Sequence, residues 1–346
     1  MKSRGKKSKS AAFKCAEAIL AGDDPTPYEK AMSPKSFSIL ACTLAVSLPA
    51  IGEESFIEPE AAGPDFAIQG EYEGEECAAQ VIALGDGKFH LVGWAPGLPG
   101  VAEDAEKKVE GDAAREGGKV TFGGDGWKGG IENGTLTGTN EEGKTYVLKR
   151  VERKSPTIGA KPPPGAAVLF DGTNADAWEG GKIDQRGFLF CGTKSKQSFG
   201  DCRLHVEFRT PFMPKARGQA RGNSGVYLQD RFECQVLDSF GLSGENNEAG
   251  GIYSISKPKL NACLPPLSWQ TYDIDFEAAR FGPDGKKTKN AMMTVRLNGI
   301  LVQDRVEVPQ TTTASGRKEG AETGPIQLQN HGNPVFYRNI WLVEKK

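Results

Sequence analysis

The chain has 346 residues, of which 38% are hydrophobic and 17 are Phe, so it is long enough to bury a substantial core. The 43 Lys and Arg against 45 Asp and Glu give a formal net charge of −2. This balance gives no reason to expect a nucleic-acid partner, because nucleic-acid binding requires a basic patch.

The first 52 residues read as an over-long start followed by a secretory signal at about 32–52. Met32 opens a short basic region, residues 36–49 are apolar, and residues 50–52 fit a small-x-small cleavage site. The apolar run is too short for a spanning helix, so no spanning membrane segment is predicted. The protein is therefore expected to be secreted or periplasmic. An unusually long leader, or a chain that stays inside, is the alternative.

Residues 53–154 are predicted to form a small antiparallel β domain. Its predicted strands lie at 79–84, 88–94, 119–122, 127–131, 135–137 and 145–149. The charged stretch 103–116 is expected to be a solvated loop. No catalytic cluster appears in this domain, and His90 is expected to be structural or on the surface.

A Pro-rich linker at 155–166 is predicted to separate this domain from a second one at 167–346. The second domain alternates short strand patterns with turns, and residues 278–290 read as a loop. Its predicted strands lie at 187–190, 203–209, 224–229, 232–237, 251–254, 271–277, 291–297, 300–303, 325–329 and 335–343. Asn298-Gly299 is a type I′ hairpin signal. The fold class is therefore all-β, with a two-sheet sandwich.

The seven cysteines leave the redox state open. Cys15 and Cys42 fall in the leader. Of the remaining five, Cys191 with Cys202 or Cys234 with Cys263 could pair, and buried free thiols are the equal alternative. No CxxC pair or Cys/His cluster indicates zinc.

The most informative stretch is RFECQVLD at 231–238. Strand alternation places Glu233 and Gln235 on one face and Phe232, Cys234 and Val236 on the other. An apolar face and a carboxylate–amide face are typical of a strand that lines a cleft. Neighbouring strand patterns are expected to bring six polar residues into one compact region: Asn223, Glu233, Gln235, Gln329, His331 and Arg338.

Nine ordered motifs carry a family resemblance over about residues 167–344. They are VLFDG (168–172) with Trp178, DCRLHVEF (201–208), GNSGVY (222–227), FECQVLD (232–238), GGIY (250–253), WQTY (269–272), LNG (297–299), GPIQLQNH (324–331) and YRNI (337–340). The region resembles the 3-keto-disaccharide hydrolase family, first catalogued as a domain of unknown function. The N-terminal β unit resembles an extension of unassigned function that precedes this domain in some secreted proteins.

The resemblance implies a concanavalin A-like jelly-roll β-sandwich and a glycoside substrate oxidised at C3. Two positions depart from the family pattern: Asn330 stands where an Asp is usual, and Tyr337 stands where a Phe is usual. Any role of that Asp as an orienting group or ligand is weakened here. Within the matched motifs, Tyr253 is a further predicted substrate-binding residue.

Ordinary glycoside hydrolysis is disfavoured by the spacing of the carboxylates. A retaining enzyme needs two carboxylates about 5–5.5 Å apart, and an inverting one about 6.5–9.5 Å. Glu233 and Asp238 would lie about 16 Å apart along a regular strand, on opposite faces. Gln235 occupies the middle position, and its amide cannot accept the proton there.

A 3-keto sugar needs only one base, because the ketone acidifies the C2 proton and allows elimination at C1 before water adds. Glu233 is the predicted base and His331 the predicted acid. The predicted substrate-binding residues, including donors for the enolate oxygen, are Asn223, Gln235, Gln329, Arg338 and Tyr253. No cofactor is evident; Asp238, Glu207 and His331 show no spacing that requires a metal, although a divalent cation stays open.

Purely structural interpretations compete with these catalytic and binding roles. Glu233 could be a structural partner of Arg231 or Arg338, His331 could hold its loop, and Trp178 and Trp269 are expected in the core. The alternative function is a non-catalytic carbohydrate-binding module, and a third is an interaction protein. The oligomeric state is not indicated.

Overall fold

The computed structural model describes residues 54–102, 105–124 and 126–345. The predicted leader, with Cys15 and Cys42, lies outside the described residues. Within the described part of the chain, no helix has the length and apolar character needed to cross a bilayer. Antiparallel sheets make up nearly all of the regular structure, which confirms the all-β prediction.

The N-terminal unit is an antiparallel barrel in which eight strands follow one another in chain order and β1 pairs with β8. The strands are β1 (Gly70–Glu73), β2 (Ala78–Gly85), β3 (Lys88–Ala95), β4 (Glu106–Glu116), β5 (Lys119–Gly124), β6 (Trp127–Glu132), β7 (Thr135–Thr139) and β8 (Thr145–Val151). A 3-10 turn (Pro59–Ala61) and the short helix α1 (Gly63–Ile68) precede them. Tyr72, Val81 and Phe89 are fully buried in the barrel core.

Strand β4 corrects the prediction that residues 103–116 form a solvated loop. The strand pairs with β3 from Lys88↔Ala114 to Ala95↔Glu106. Val109, Gly111 and Ala113 alternate with charged residues along it, and Ala113 is buried in the barrel core. Because small residues occupy most of the inward positions, the apolar alternation of this strand is weak in the sequence.

The C-terminal unit consists of two packed sheets. Its strands are β9 (Ala167–Phe170), β10 (Trp178–Glu179), β11 (Leu189–Phe190), β12 (Thr193–Phe199), β13 (Cys202–Arg209), β14 (Ser224–Leu228), β15 (Phe232–Val236), β16 (Gln270–Glu277), β17 (Arg280–Phe281), β18 (Lys287–Lys289), β19 (Ala291–Leu297), β20 (Ile300–Val308), β21 (Gly324–Leu328) and β22 (Phe336–Glu344). One sheet has five strands in the order β10-β12-β21-β14-β15. The seven-stranded sheet has the order β11-β22-β13-β16-β19-β20, and β9 pairs with β22.

The core of the sandwich lies between these two sheets. Val226 and Cys234 enter it from the five-stranded sheet, and Val206, Phe208 and Ile274 enter it from the seven-stranded one. Each of these side chains is at most 1% exposed. This arrangement confirms the predicted concanavalin A-like jelly-roll sandwich.

Local predictions in this unit have mixed outcomes. Asn298 and Gly299 have φ angles of 53° and 79° and join β19 to β20, which confirms the hairpin. The predicted strand at 251–254 is wrong, because only isolated bridges form at Ile252. The expected loop at 278–290 contains the two-stranded β17–β18 sheet.

The first part of the predicted linker packs against the outer face of the seven-stranded sheet. The Thr157 hydroxyl donates to Asp273 Oδ2 at 2.8 Å, and the Gly159 N–H donates to Glu207 Oε1 at 2.6 Å. The carbonyl of Ala160 accepts from the Trp341 indole N–H at 3.0 Å. Residues 157–160 are therefore held by the sandwich.

The barrel and the sandwich contact each other through both backbone and side chains. Phe56 and Phe212 exchange two 2.9 Å backbone hydrogen bonds. Phe240 of the sandwich packs with Ile82 and Val92 on the outside of the barrel.

All five cysteines in the described part of the chain are free thiols. Neither of the two pairings considered from the sequence, Cys191 with Cys202 and Cys234 with Cys263, is therefore formed. Cys202, Cys234 and Cys263 are buried, so burial raises the pKa of their thiols.

Candidate active site

The β14–β15 hairpin has one apolar face and one polar face. Cys234 points into the sandwich core. Gly225 pairs with Gln235 and Tyr227 pairs with Glu233, so these four residues share the opposite face of the five-stranded sheet. The prediction that Glu233 and Gln235 share a face is confirmed.

Glu233 is 2% exposed, and its two carboxylate oxygens have different surroundings. The Tyr227 hydroxyl donates to Oε2 at 2.7 Å, and the Gln329 amide donates to the Tyr227 oxygen at 3.1 Å. Oε1 accepts no hydrogen bond from the described residues. It lies over Gly225, where an added Cβ would be 2.2 Å from Oε1. The absence of a side chain at Gly225 therefore makes room for the carboxylate.

Burial raises the pKa of Glu233 to about 7, and the hydrogen bond from Tyr227 opposes this shift. A carboxylic acid with a pKa near neutrality is well matched to taking up and releasing a proton at physiological pH. The same burial and the adjacent carboxylate raise the pKa of the Tyr227 hydroxyl, which keeps it a donor.

A cluster of amides lies beside Glu233. The Gln235 amide donates to Gln219 Oε1 at 2.9 Å, and the Asn223 amide donates to the same oxygen at 3.2 Å. The Gln219 amide in turn donates to the Asn247 carbonyl at 2.8 Å. The Asn223 Oδ1 atom is buried and has no hydrogen-bond partner in the described part of the chain. Because an unpaired buried acceptor is costly, this oxygen is suited to accept from a ligand hydroxyl.

Two loops cover the free edge of β15. From one loop, Tyr253 donates its backbone N–H to the Glu233 carbonyl at 3.2 Å, and the Gly251 carbonyl accepts from the Gln235 N–H at 2.9 Å. From the other, the Thr312 hydroxyl accepts the Glu233 N–H at 3.0 Å. These contacts fix the strand that carries the carboxylate.

Among the residues that the structure describes, no second carboxylate hydrogen-bonds to Glu233. Asp238 lies beyond the end of β15 and accepts a 2.7 Å hydrogen bond from Arg221 Nε, with both side chains buried. Within the described ranges, no three His, Cys, Asp or Glu side chains group as metal ligands would.

The structure separates Arg338 from the other predicted site residues. Arg338 lies on β22 of the seven-stranded sheet, where it donates to Glu207 Oε2 at 2.6 Å and stacks 4.1 Å from the Trp269 ring centroid. The expectation of one compact region is therefore wrong for this residue. His331 is exposed in the loop after β21, and no described residue hydrogen-bonds to its side chain.

Asn223, Gln235 and Gln329 do lie around Glu233, whereas Tyr253 contacts it through the backbone. Three contributors were missed: Tyr227, Gln219 and Asn247. Strand alternation within GNSGVY would have placed Tyr227 beside Gly225. Gln219 lies in a single 3-10 turn (Gly218–Ala220) and Asn247 lies in a loop, and neither segment has a periodicity that marks them.

The two tryptophans expected in the core, Trp178 and Trp269, have different surroundings. Trp178 is 2% exposed and donates its indole N–H to the Leu169 carbonyl, which confirms its place in the core. Trp269 is half-buried between the guanidinium groups of Arg209 and Arg338. Neither ring is a free platform for a sugar.

Residues 165–343 match the family model of the 3-keto-alpha-glucoside-1,2-lyase-like domain. The match covers more than half of the chain. This chain belongs to that family. The lyase-like domain contains Glu233, Tyr227 and the amide cluster, and the barrel lies outside it. Membership supports a carbohydrate-acting hydrolase.

Solved structures from Parabacteroides distasonis are similar to about half of this chain. One, provisionally described as a glycosyl hydrolase, is 34% identical, covers 53% of this chain and 85% of its own, and gives a TM-score of 0.49. Two others with the same description are 16% and 19% identical, each with a TM-score of 0.37. They cover 53% and 52% of this chain and 94% and 99% of their own. A comparison with curated proteins gave no match.

Proposed function

We propose that this protein cleaves the glycosidic bond of 3-keto-glycosides by removal of the C2 proton, elimination at C1 and addition of water. Glu233 is the general base. The family to which the chain belongs takes its description from a 1,2-lyase acting on 3-keto-alpha-glucosides, and that chemistry fits a site with a single carboxylate.

The observation that carries this proposal is the asymmetry of the Glu233 carboxylate. One oxygen accepts a hydrogen bond from Tyr227, and the other accepts none from the described residues. The pKa of the group is raised to about 7. Two-carboxylate hydrolysis would need a second carboxyl group within about 5–10 Å, on the other side of the scissile bond. Asp238 is instead paired with Arg221.

The elimination requires two proton movements. Oε1 of Glu233 accepts the proton from C2, and the C2–H electron pair forms an enolate with the C3 carbonyl. Collapse of the enolate re-forms the C3 carbonyl and makes the C1–C2 double bond, while the C1–O bond breaks and the leaving group takes a proton. Water then adds across C1 and C2 to give the free 3-keto sugar.

The surrounding polar groups would orient the sugar. Oδ1 of Asn223 is the acceptor for a sugar hydroxyl, because it is buried and unpaired. The Gln329 amide donates one N–H to Tyr227 and has a second N–H that would stabilise the enolate oxygen, while the Tyr227 hydroxyl holds Glu233. His331 is our candidate for the acid that protonates the leaving group, because its loop directly follows Gln329.

Substrate must reach a carboxylate that is 2% exposed. The Thr313 carbonyl lies 3.2 Å from the Tyr227 hydroxyl, and the neighbouring Thr312 covers the edge of β15. We therefore infer that this segment shifts when the sugar binds.

Export is part of the same proposal. Residues 32–52 would direct the chain out of the cytoplasm, with cleavage near residue 52. Mass spectrometry of the native protein should then find an N-terminus near Glu53. Recovery of the intact leader from the cytosol would contradict this.

The decisive experiment incubates the purified protein with 3-keto-trehalose and, separately, with unoxidised trehalose in deuterated water. Cleavage of the keto sugar alone, with deuterium entering C2 of recovered substrate, supports the proposal. Cleavage of both sugars would contradict it. Binding of either sugar without turnover would favour the carbohydrate-binding module.

A further inference from the structure

The N-terminal barrel encloses a cavity of about 520 Å³. Eight-stranded barrels are just wide enough for side chains to fill the interior, unless the interior holds a small ligand. Tyr72, Val81 and Phe89 fill one part of the barrel interior. The rest of the interior is the cavity, and the wall of the cavity includes Leu91, Phe122 and Trp127.

Glycines at inward-facing positions leave this space empty. Gly111 follows the inward parity of Ala113 and pairs with Leu91 across the β3–β4 ladder. A Cβ built on Gly111 meets no atom within 4 Å. Gly138 is buried beside Phe122 and Trp127 and lines the same cavity. Because glycine inside a strand is destabilising, these positions favour space over packing.

The cavity opens where two strands part. β4 pairs with β5 only from Ala113↔Phe122 to Glu116↔Lys119, so the rest of β4 runs on without β5. Gly111 lies on one side of this gap and Gly123 and Gly124 lie on the other, and all three are exposed. A small molecule has an entrance here without any opening of the barrel.

The chemistry of the lining selects the ligand. The rings of Trp127 and Tyr146 lie 5.3 Å apart at the wall. Of the described residues that line the cavity, none has a buried side-chain polar atom without a partner. The three carboxylates that line the cavity are already paired: Glu76 with Lys144, Glu110 with Lys107, and Asp112 with His90. The cavity therefore offers aromatic surface and no unpaired buried polar group.

We propose that the barrel binds one neutral molecule built on one or two aromatic rings, between Trp127, Tyr146 and Phe122. The site lies outside the residues that match the lyase-like family and does not depend on the activity proposed for the sandwich. The volume is within the range of ordinary small-molecule pockets.

The test uses the full chain and the neutral probe N-phenyl-1-naphthylamine, followed by its fluorescence. Gly111→Leu places a side chain in the cavity, and Gly118→Leu is the matched control, because Gly118 is exposed in the β4–β5 turn with open space around it. Saturable 1:1 binding is expected for the wild type and the control. We expect binding about tenfold weaker, or lost, in Gly111→Leu, since overpacking removes the ligand's space.

A second measurement does not depend on the variant folding. Cys77 lines the cavity and is half-buried. Its alkylation by N-ethylmaleimide, mapped by peptide mass spectrometry, should slow when the probe is bound to the wild type. Absence of saturable binding, equal binding by both variants, or unchanged Cys77 alkylation would overturn the proposal. Stronger competition by decanoate than by neutral 1-naphthol would overturn the ligand class.

Discussion

The hydroxyl of Tyr227 donates a 2.7 Å hydrogen bond to Oε2 of Glu233, across the β14–β15 ladder. Because the two residues are directly paired on one face of the hairpin, the backbone itself fixes this contact. The bond stabilises the charged form of a buried carboxylate and leaves Oε1 available. Tyr227 thus acts on the reaction through Glu233, as a positioning residue.

Replacing Glu233 with Gln should remove the base and keep the shape. We expect turnover of a 3-keto-glycoside to fall by roughly 10²–10⁴, the usual contribution of one general base. Exchange of the C2 hydrogen with solvent should stop in the same variant, and circular dichroism should be unchanged. If exchange and turnover both persist, Glu233 is structural and His331 becomes the candidate base.

Tyr227→Phe should shift the pH dependence of the reaction. The wild-type kcat/KM should rise as Glu233 loses its proton, with an inflection near its pKa of about 7. Loss of the Tyr227 hydrogen bond, which lowers that pKa, should move the inflection to higher pH. Tyr146→Phe, in the barrel, is the control. An unshifted profile with a reduced plateau would assign Tyr227 to substrate binding instead.

Gly225→Ala tests the space that the carboxylate occupies. An added Cβ would lie 2.2 Å from Glu233 Oε1, so the flexible end of that side chain must move. We expect activity to fall by about tenfold or more, because catalytic geometry tolerates little displacement. Gly200→Ala is the matched control, since its Cβ meets nothing closer than 3.7 Å. Equal activity of the two variants would argue against Oε1 as the reacting atom.

Glu233 should also make the protein less stable as the pH rises. Its folded pKa of about 7 exceeds the ordinary value of 4.5, so between these values the folded state holds a proton that the unfolded state has released. Across that window the free energy of unfolding should fall by roughly 3 kcal/mol from this group. Glu233→Gln should remove this fall in denaturant titrations at about pH 5 and about pH 8. Identical pH dependence in both proteins would refute the burial argument.

The segment before the sandwich should contribute to its stability. Burial alone would raise the pKa of Glu207, but hydrogen bonds that include the Gly159 N–H lower it to about 2. Chains starting at residue 155 and at residue 165 separate this effect, because only the longer one keeps Thr157, Gly159 and Ala160. The longer chain should unfold at a temperature higher by several degrees, as expected for a few lost hydrogen bonds. Equal unfolding temperatures would show that the segment is a passive linker.

Strand alternation was enough to place Glu233 and Gln235, because parity along one strand is a local property. It could not place Arg338 correctly. YRNI reads as a strand from sequence, but nothing in its pattern states that β22 joins the seven-stranded sheet rather than the sheet of β15. Gln219 reaches the site from a single 3-10 turn and Asn247 from a loop, and the positions of both segments depend on tertiary packing.

The fold shows the same difference between features that neighbouring residues encode and features that depend on tertiary packing. The Asn-Gly hairpin and most of the regular strands were predicted because turn chemistry and alternation are encoded in neighbouring residues, whereas β1 and β12 were missed. β4 was missed because its inward positions include Gly111 and Ala113, which carry little apolar signal. The closure of eight strands into a barrel follows from the pairing of β1 with β8, two segments far apart in the chain.

The loops that cover β15 have a consequence beyond catalysis. β15 is the last strand of its sheet, and an uncovered last strand would present unpaired N–H and C=O groups to other copies of the chain. Gly251, Tyr253 and Thr312 occupy those groups at Glu233 and Gln235. Shortening these loops to admit larger substrates would therefore expose the edge of β15 to strand pairing with other copies of the chain. Variants with shortened loops should aggregate before they gain activity.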